Sequence, residues 1–382
     1  MATLDMLFEW LVDGAPGATP PEIADRLGRD IAGSGIALMR LGVFVTTIHP
    51  NVAGRAFIWE RGKVTRVAEL TYETAQSVDF QHSPIARCAN HNREWRWRAG
   101  EPDHGYQAIR DFAARGCVDY VCFPLPFVKD EVQVLSIACD RPLADAELES
   151  LRRIARPLAR LAEIWALRRT ATTILNTYVG AISGERVLAG RILRGDIETI
   201  RAAIWFSDLR GFTAASETRP PREIITIIND VFECQVPAIA RHGGEVLKFI
   251  GDGLLAIFPI AEGERAACNA ALAAAHETLA ALAALNAERA SSWRIGLALH
   301  VGEIAYGNIG STSRLDFTAI GSAINTAARL EGTASKLGRA VVLSEPFAAL
   351  ADGTFDDLGS HELKGIAEPQ RVYGLPGESQ PR

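Results

Sequence analysis

The sequence predicts an α+β protein: two mixed regions joined by a helical linker. Three observations carry that prediction. Strand-length apolar runs mix with helix-period stretches over residues 1–142 and again over residues 198–376. Between them, residues 143–197 carry helical spacing without a strand signal. The 382 residues are 48% hydrophobic and 23% charged, a globular balance that accommodates two or three domains.

The elements follow in order. Thr19-Pro20-Pro21-Glu22 reads as a helix start, with Thr19 as N-cap and proline in the first turn. Apolar strand-type runs occupy 41–48, 55–59, 120–125 and 132–139, the last followed by the polar turn Asp140-Arg141-Pro142. Strands around a few helices in this length fit an α+β sensor-like domain. His49, His82, His91 and His104 are candidate haem or metal ligands, but their scatter reads as structural or exposed. Trp95 and Trp97, among Arg93, Arg96 and Arg98, read as a strand edge rather than a nucleic-acid stacking platform.

In the linker, Leu151, Ile154, Leu158, Leu161, Trp165, Arg168, Thr172, Leu175 and Val179 fall at alternating steps of three and four, an a/d seam with two polar interruptions. Pro157 predicts a kink or break. Two readings stand open: an amphipathic helix packed on its own domain, or a dimerising linker helix.

The third region opens with an apolar strand at 202–206. Helix period follows in Ile224, Ile225, Ile228, Val231, Phe232, Val236 and Ile239, closed by His242-Gly243-Gly244. Runs at 245–250 and 254–258 flank Gly251-Asp252-Gly253, a hairpin signal. An Ala-rich helix over 262–287, a strand over 293–301 and a helix over 322–331 complete the order. That order predicts a ferredoxin-like, split βαβ sheet with helices on one face. Residues 377–382 read as a disordered tail.

Composition excludes several functions. The net charge of −6, from 46 acidic and 40 basic residues, argues against a general nucleic-acid binder. The six cysteines form no CxxC and no zinc spacing, so reduced thiols of a cytoplasmic protein are expected. The N-terminus has no basic n-region, so no secretory signal is expected. The most apolar stretch, 266–285, contains Asn269, His276 and Glu277 and reads as a packed helix, not a membrane span. A soluble chain is the expectation.

Two carboxylates carry the chemistry. Asp208 directly follows the apolar strand, in Phe206-Ser207-Asp208-Leu209-Arg210-Gly211-Phe212-Thr213, and Asp252 stands at the hairpin tip. With the first strand between the two hairpin strands, both meet at one end of the sheet. Such hard oxygen ligands suit Mg²⁺ shared with substrate phosphates, and a metal pair suits in-line displacement at phosphorus. The backbone N–H groups of 209–213, with Phe212 and Thr213, form a candidate phosphate cradle. By themselves the two aspartates are equally a helix cap and a turn residue.

A longer motif resolves this. Gly307-Asn308-Ile309-Gly310 precedes Arg314-Leu315-Asp316-Phe317-Thr318-Ala319-Ile320-Gly321-Ser322-Ala323-Ile324-Asn325-Thr326-Ala327-Ala328-Arg329-Leu330-Glu331. Together with the Asp208 segment, Lys248-Phe249-Ile250-Gly251-Asp252-Gly253 and Glu362-Leu363-Lys364-Gly365, it resembles the catalytic domain of the class III nucleotidyl cyclases over about residues 198–376. The resemblance implies a homodimer with composite sites at its interface. It implies cyclisation of ATP to cyclic AMP and pyrophosphate, or of GTP to cyclic GMP. It also implies two Mg²⁺ or Mn²⁺ ions held by Asp208 and Asp252. Lys248 matches the purine-reading residue, Thr318 its partner on the adenine edge, Asn325 the ribose-orienting residue and Arg329 the transition-state arginine. Lys364 matches a phosphate-contacting lysine, and Arg314 is a further candidate for reaching phosphate.

Asn325 and Arg329, four residues apart, share one helix face. Lysine only donates, which suits adenine N1, and a threonine hydroxyl accepts from the 6-amino group. The guanylate members typically carry glutamate at the lysine position. Adenylate cyclase is therefore the expectation, with a guanylate cyclase or a catalytically silent cyclase-like dimer as alternatives. Ser322 departs from the aspartate that many bacterial relatives carry. The N-terminal strand pattern resembles GAF or PAS sensor modules, with an unidentified small-molecule or signal input.

Overall fold

A computed structural model describes residues 2–47, 49, 52–129 and 131–377. The chain forms two compact units, Met1–Ile174 and Leu175–Arg382.

The first unit runs α1 (Ala2–Val12), α2 (Pro20–Gly33), β1 (Leu38–Thr46), β2 (Gly54–Glu60), β3 (Arg66–Leu70), α3 (Tyr72–Gln76), α4 (Val78–Gln81), α5 (Pro84–His91), β4 (Trp95–Arg98), α6 (Gln107–Ala114), β5 (Asp119–Pro126), β6 (Val132–Cys139) and α7 (Asp145–Val179), which continues past its end. The α2 start is as the sequence predicts: the Glu22 carboxylate accepts from the backbone N–H and the hydroxyl of Thr19, both at 2.7 Å. The antiparallel sheet has the order β3-β2-β1-β6-β5-β4. One face buries Leu41, Val43, Phe123 and Ile137 against α1, α2 and the first half of α7. The other buries Tyr120 and Cys122 against α5 and α6. Trp95 and Trp97 lie on edge strand β4. His82 and His104 pack against Tyr106, at ring distances of 5.0 and 6.2 Å, and no metal-ligating cluster forms among the described residues.

Two expectations for the linker need correction. The helix passes through Pro157 without interruption. Ile154, Ala155, Leu158 and Ala159 are buried on both sides of the proline, and that packing holds the turns that lack one backbone bond. The predicted seam is also not one continuous surface. Its Leu151, Ile154, Leu158 and Leu161 are core of the first unit, whereas Arg168 is exposed. The exposed apolar side chains of the later turns are Ile164, Leu167, Ile174 and Tyr178, on a different stripe.

The second unit runs α8 (Ala181–Leu188), β7 (Ile197–Leu209), α9 (Phe212–Thr218), α10 (Pro221–Arg241), β8 (Glu245–Ile250), β9 (Gly253–Pro259), α11 (Glu264–Arg289), β10 (Ile295–Gly310), β11 (Leu315–Ile320), α12 (Ser322–Leu337), β12 (Val341–Ser344), α13 (Glu345–Leu350), β13 (Asp356–His361) and β14 (Gln370–Gly374). The sheet order is β13-β14-β12-β10-β7-β9-β8, with β11 paired to β10. Its β10-β7-β9-β8 portion is the split βαβ arrangement that the element order predicts.

Three details differ from expectation. First, β7 does not lie between the hairpin strands: β8 and β9 pair directly, and β7 flanks β9. A two-residue turn forces its own strands to be neighbours. Second, helices cover both faces. Trp205, Leu254, Ala256 and Phe258 pack under α10 and α11, while Ala202, Ile204, Leu255 and Ile257 pack under β11 and α12. The interior of β7 and β9 is apolar at consecutive positions, so neither face can stay open to water. Third, a strand–helix–two-strand extension after α12 carries the sheet to β13. Helix α11 is long and apolar enough to cross a membrane by length and composition, and Cys268, Ala271, Ala274 and Ala275 bury its inner face on the sheet. All six cysteines are free and buried. Pro376 and Gly377 form a turn, and the expected tail at 378–382 lies outside the described residues.

Candidate active site

The end of β7 and the β8–β9 turn build the carboxylate pair. Gly251 has φ +64°, the positive value that the first central position of a type II′ hairpin turn requires, and the next residue is Asp252. The turn lies close against β7. A Cβ on Gly253 would stand 2.3 Å from the Ser207 carbonyl oxygen, so only glycine fits there. Ser207 is anchored below by its hydroxyl donating to Gln235 Oε1 at 2.6 Å. Burial, and then the adjacent Asp208 carboxylate, push the Asp252 carboxyl up to about 6. The two carboxylates are half-buried and adjoin each other. This hard-oxygen donor pair fits Mg²⁺ or Mn²⁺.

Beneath the pair lies a feature absent from the sequence-based expectations. Arg210 Nη2 stands 2.9 Å from Glu331 Oε1, an ion-pair distance without hydrogen-bond alignment, and also meets the Glu331 carbonyl at 3.4 Å. A Cβ on Gly296, the residue paired with Asp208, would fall on both side chains. Burial chiefly raises the Glu331 carboxyl above the ordinary carboxylate range; Arg210 opposes this, and Asp208 and Asp252 add to it. The Arg210–Glu331 contact ties the Asp208 loop to α12.

Helix α12 has a buried stripe of Ala323, Ala327, Leu330 and Ala334. Asn325 and Arg329 stand together on its exposed face, and Arg329 forms no ion pair among the described residues. Lys364 is exposed on a turn whose preceding residue, Leu363, is buried against Leu330 and Ala334 of the same helix.

The purine-reading candidates come together from β8 and β11. A bulge lies between Val246 and Lys248, so Lys248 pairs opposite Leu255, a side chain that packs in the layer beneath β11. There its Nζ donates to Asp316 Oδ2. Thr318, two residues along β11 from Asp316, is buried. Asp316 is a second residue that the sequence-based reading passed over; its alternation with Thr318 on one strand was the available signal.

Two expected contacts are not brought into this constellation. Arg314 sits at the β10–β11 turn, where its N–H donates to Ser311 Oγ at 3.1 Å, and no described contact joins it to the carboxylates or α12. Phe212 packs its ring among Leu209, Ile224 and Val231, which leaves the backbone of α9 and exposed Thr213 as the cradle candidates.

A buried polar cluster also escaped the sequence. Glu245 Oε1 accepts from the N–H and hydroxyl of Ser183, both at 2.9 Å, and Glu245 Oε2 accepts from Tyr306 at 2.9 Å. It joins α8 to β8, the strand that bears Lys248, and to β10.

Residues 197–377 match the family described as the adenylate and guanylate cyclase catalytic domain. An adenylate cyclase of Anabaena cylindrica is 35% identical over 178 residues, covering 44% of this chain and 34% of the relative. Adenylate cyclase 1 of Rhizobium meliloti (strain 1021) is 31% identical over 178 residues, covering 45% and 27%. The chain thus spans about a third of the length of these relatives. Among solved structures, a bacterial light-regulated adenylyl cyclase is similar in fold, with a TM-score of 0.51 at 19% identity over 72% of this chain and 90% of that one. Residues 197–377, 181 of the 382, are thus matched as an adenylate and guanylate cyclase catalytic domain.

Proposed function

We propose that the chain is an adenylate cyclase, converting ATP to 3′,5′-cyclic AMP and pyrophosphate as a homodimer with composite sites. The observation that carries the choice of base is the pairing of a lysine with a threonine: Lys248 reaches the strand of Thr318 and carries a proton-donating ammonium. Adenine offers an acceptor at N1 and a donor at its 6-amino group, matching a lysine donor and a threonine acceptor. Guanine presents N1–H, which Lys248 cannot accept.

Asp208 and Asp252 hold the Mg²⁺ or Mn²⁺, which when bound supplies positive charge against the phosphoryl oxygens. Asn325 orients the ribose so that its 3′-oxygen lies in line with the α-phosphorus and the departing pyrophosphate oxygen. Arg329, one turn later and without a carboxylate partner among the described residues, meets the charge that grows on the phosphoryl oxygens. Lys364 contacts the polyphosphate. No residue is needed as a nucleophile, because the substrate supplies its own.

The first unit is read as a GAF- or PAS-like sensor. Its six-stranded antiparallel sheet with helices on both faces supports that reading. The test is direct. Purified chain is incubated with ATP or GTP and Mg²⁺ or Mn²⁺, and cyclic nucleotide is quantified. Cyclic AMP as the main product is expected. Cyclic GMP as the main product overturns the base assignment, and no product from either nucleotide with either metal overturns the enzymatic reading.

A further inference from the structure

We infer that Arg40 anchors a ligand site on the first unit, one that takes a small molecule through its phosphate or carboxylate oxyanion. The inference deepens the sensor reading of that unit and is independent of the base assignment of the second.

Arg40 stands on β1, inside the sheet, opposite Glu60 of β2 and Ala138 of β6. It is half-buried and makes no ion pair among the described residues. A guanidinium has five N–H donors. Among the described residues Arg40 uses one of them, and that bond is long: Nη1 donates to Ser136 Oγ at 3.4 Å. The rings of Phe112 and Phe44 lie 5.4 and 5.9 Å from the guanidinium. They attract the cation but bring no counter-charge. Gly42, next on the same face, makes the room: a Cβ there would stand 3.2 Å from Arg40 Nη1, 3.0 Å from Ser136 Oγ and 2.8 Å from the Phe44 ring. Burial chiefly lowers the Arg40 pKa; Tyr120 and Glu60 oppose this, and Arg66 and Arg115 add to it.

The surroundings increase the positive charge. Ser136, Gly42, Ile58 and Arg66 form one row across four strands, so Arg66 shares this face; it is exposed and makes no ion pair among the described residues. Arg115, at the end of α6, stands 4.8 Å from the Phe112 ring that Arg40 also faces. Glu60 is already shared, accepting from Lys63 Nζ at 2.7 Å and lying 3.8 Å from Arg115. Arg40, Arg66, Arg115 and Lys63 thus act around a single carboxylate. A guanidinium withdrawn from water without an anion costs stability. An oxyanion that accepts its planar fork with two oxygens offsets that cost, and the neighbouring arginines favour the same charge. The half-buried setting leaves the guanidinium open to such a ligand.

The experiment is hydrogen exchange, read by mass spectrometry on peptides of the full chain, in orthophosphate, in succinate and in sodium chloride at equal ionic strength. Orthophosphate and succinate separate a phosphate ligand from a carboxylate one, and the peptides separate this site from the catalytic unit. One of the two anions is expected to slow exchange in β1, β2 and α6 beyond the chloride control, about tenfold at ten times its half-saturating concentration. Arg40→Met should lose that slowing. In chloride it should also exchange more slowly than the parent in the same segments, because an unpaired charge has been replaced by an apolar chain. Arg40→Lys, which keeps the charge but not the fork, should retain part of the anion effect. No slowing beyond chloride with either anion, or slowing that Arg40→Met retains, overturns the inference. Faster exchange of Arg40→Met in chloride makes Arg40 a structural anchor and overturns it as well. Anion-dependent slowing that needs Arg40, with cyclic nucleotide output that responds to the anion alike in parent and Arg40→Met, supports the site and overturns only the sensor reading.

Discussion

His300 on β10 is buried, and its Nδ1 lies 2.8 Å from the hydroxyl of Ser344. That hydroxyl accepts from the Phe347 N–H at 3.4 Å as it caps α13, so its proton is free to point at an unprotonated Nδ1. Burial, with a smaller contribution from the Arg201 charge, lowers the imidazolium pKa from 6.5 to about 4. The sign of the effect follows. Between pH 6.5 and 4 the unfolded chain carries a proton on His300 that the folded chain refuses, so stability falls as the pH drops through that window and levels off below it. Between pH 7 and 5 the loss is about 2 kcal/mol from this residue. Urea denaturation of the full chain at the two pH values, compared with His300→Gln, checks it. The parent should lose more stability than the variant on acidification; an equal loss assigns the acid sensitivity to other groups.

At the scale of elements, Glu245 is the first residue of β8, and it holds α8 and β10 through three accepted hydrogen bonds. Glu245→Ala leaves the Ser183 N–H buried without its acceptor and leaves the Ser183 and Tyr306 hydroxyls, 2.8 Å apart, only each other, so one of their two protons also goes unsatisfied, at about 1–3 kcal/mol for each such group. Tyr306→Phe removes one of the three donors, leaves Glu245 Oε2 without it and should cost about 1–3 kcal/mol. Thermal unfolding should rank Glu245→Ala well below Tyr306→Phe. Trypsin should cleave after Arg186 and Arg191 faster in the alanine variant, because α8 loses its attachment. Equal melting of the two variants would mean that the carboxylate does not anchor α8. This cluster also marks the boundary of what the sequence makes legible. Helix α10 was readable because its apolar positions keep one local period, and Asp252 because Gly251 and Gly253 signal a turn within a few residues. Glu245 reads as an ordinary strand opener, since its partners lie about 60 positions away in either direction. The aim of Lys248 depends on a one-residue bulge, which reverses the face that simple alternation assigns. The linker seam misleads for a related reason: steps of three and four describe any buried helical stripe, and they do not say whether the cover is the helix's own domain or another chain.

For the whole molecule, the decisive question is whether one chain or two complete a site. The candidate groups form two sets. Asp208 and Asp252 adjoin at the end of β7, while Asn325 and Arg329 project from the solvent face of α12, with no protein partner for the arginine among the described residues. In the composite reading, the carboxylates of one protomer serve the α12 face of its partner, and a two-fold dimer holds two equivalent sites. Asp208→Ala and Arg329→Ala should each lose activity about a hundredfold or more, the first through the metal position and the second through the developing charge. Their mixture distinguishes the architectures. In a heterodimer, one site inherits both lesions and the other inherits neither. With random pairing, half of the dimers are mixed and one site in each is whole, so the mixture should recover about a quarter of the parent activity. Co-expression with two different affinity tags, and purification through both in sequence, isolates the mixed dimer, whose activity should be about half that of the parent. A doubly tagged dimer as inactive as its components would mean that each chain builds its site from its own carboxylates and its own α12, and that the composite reading is wrong.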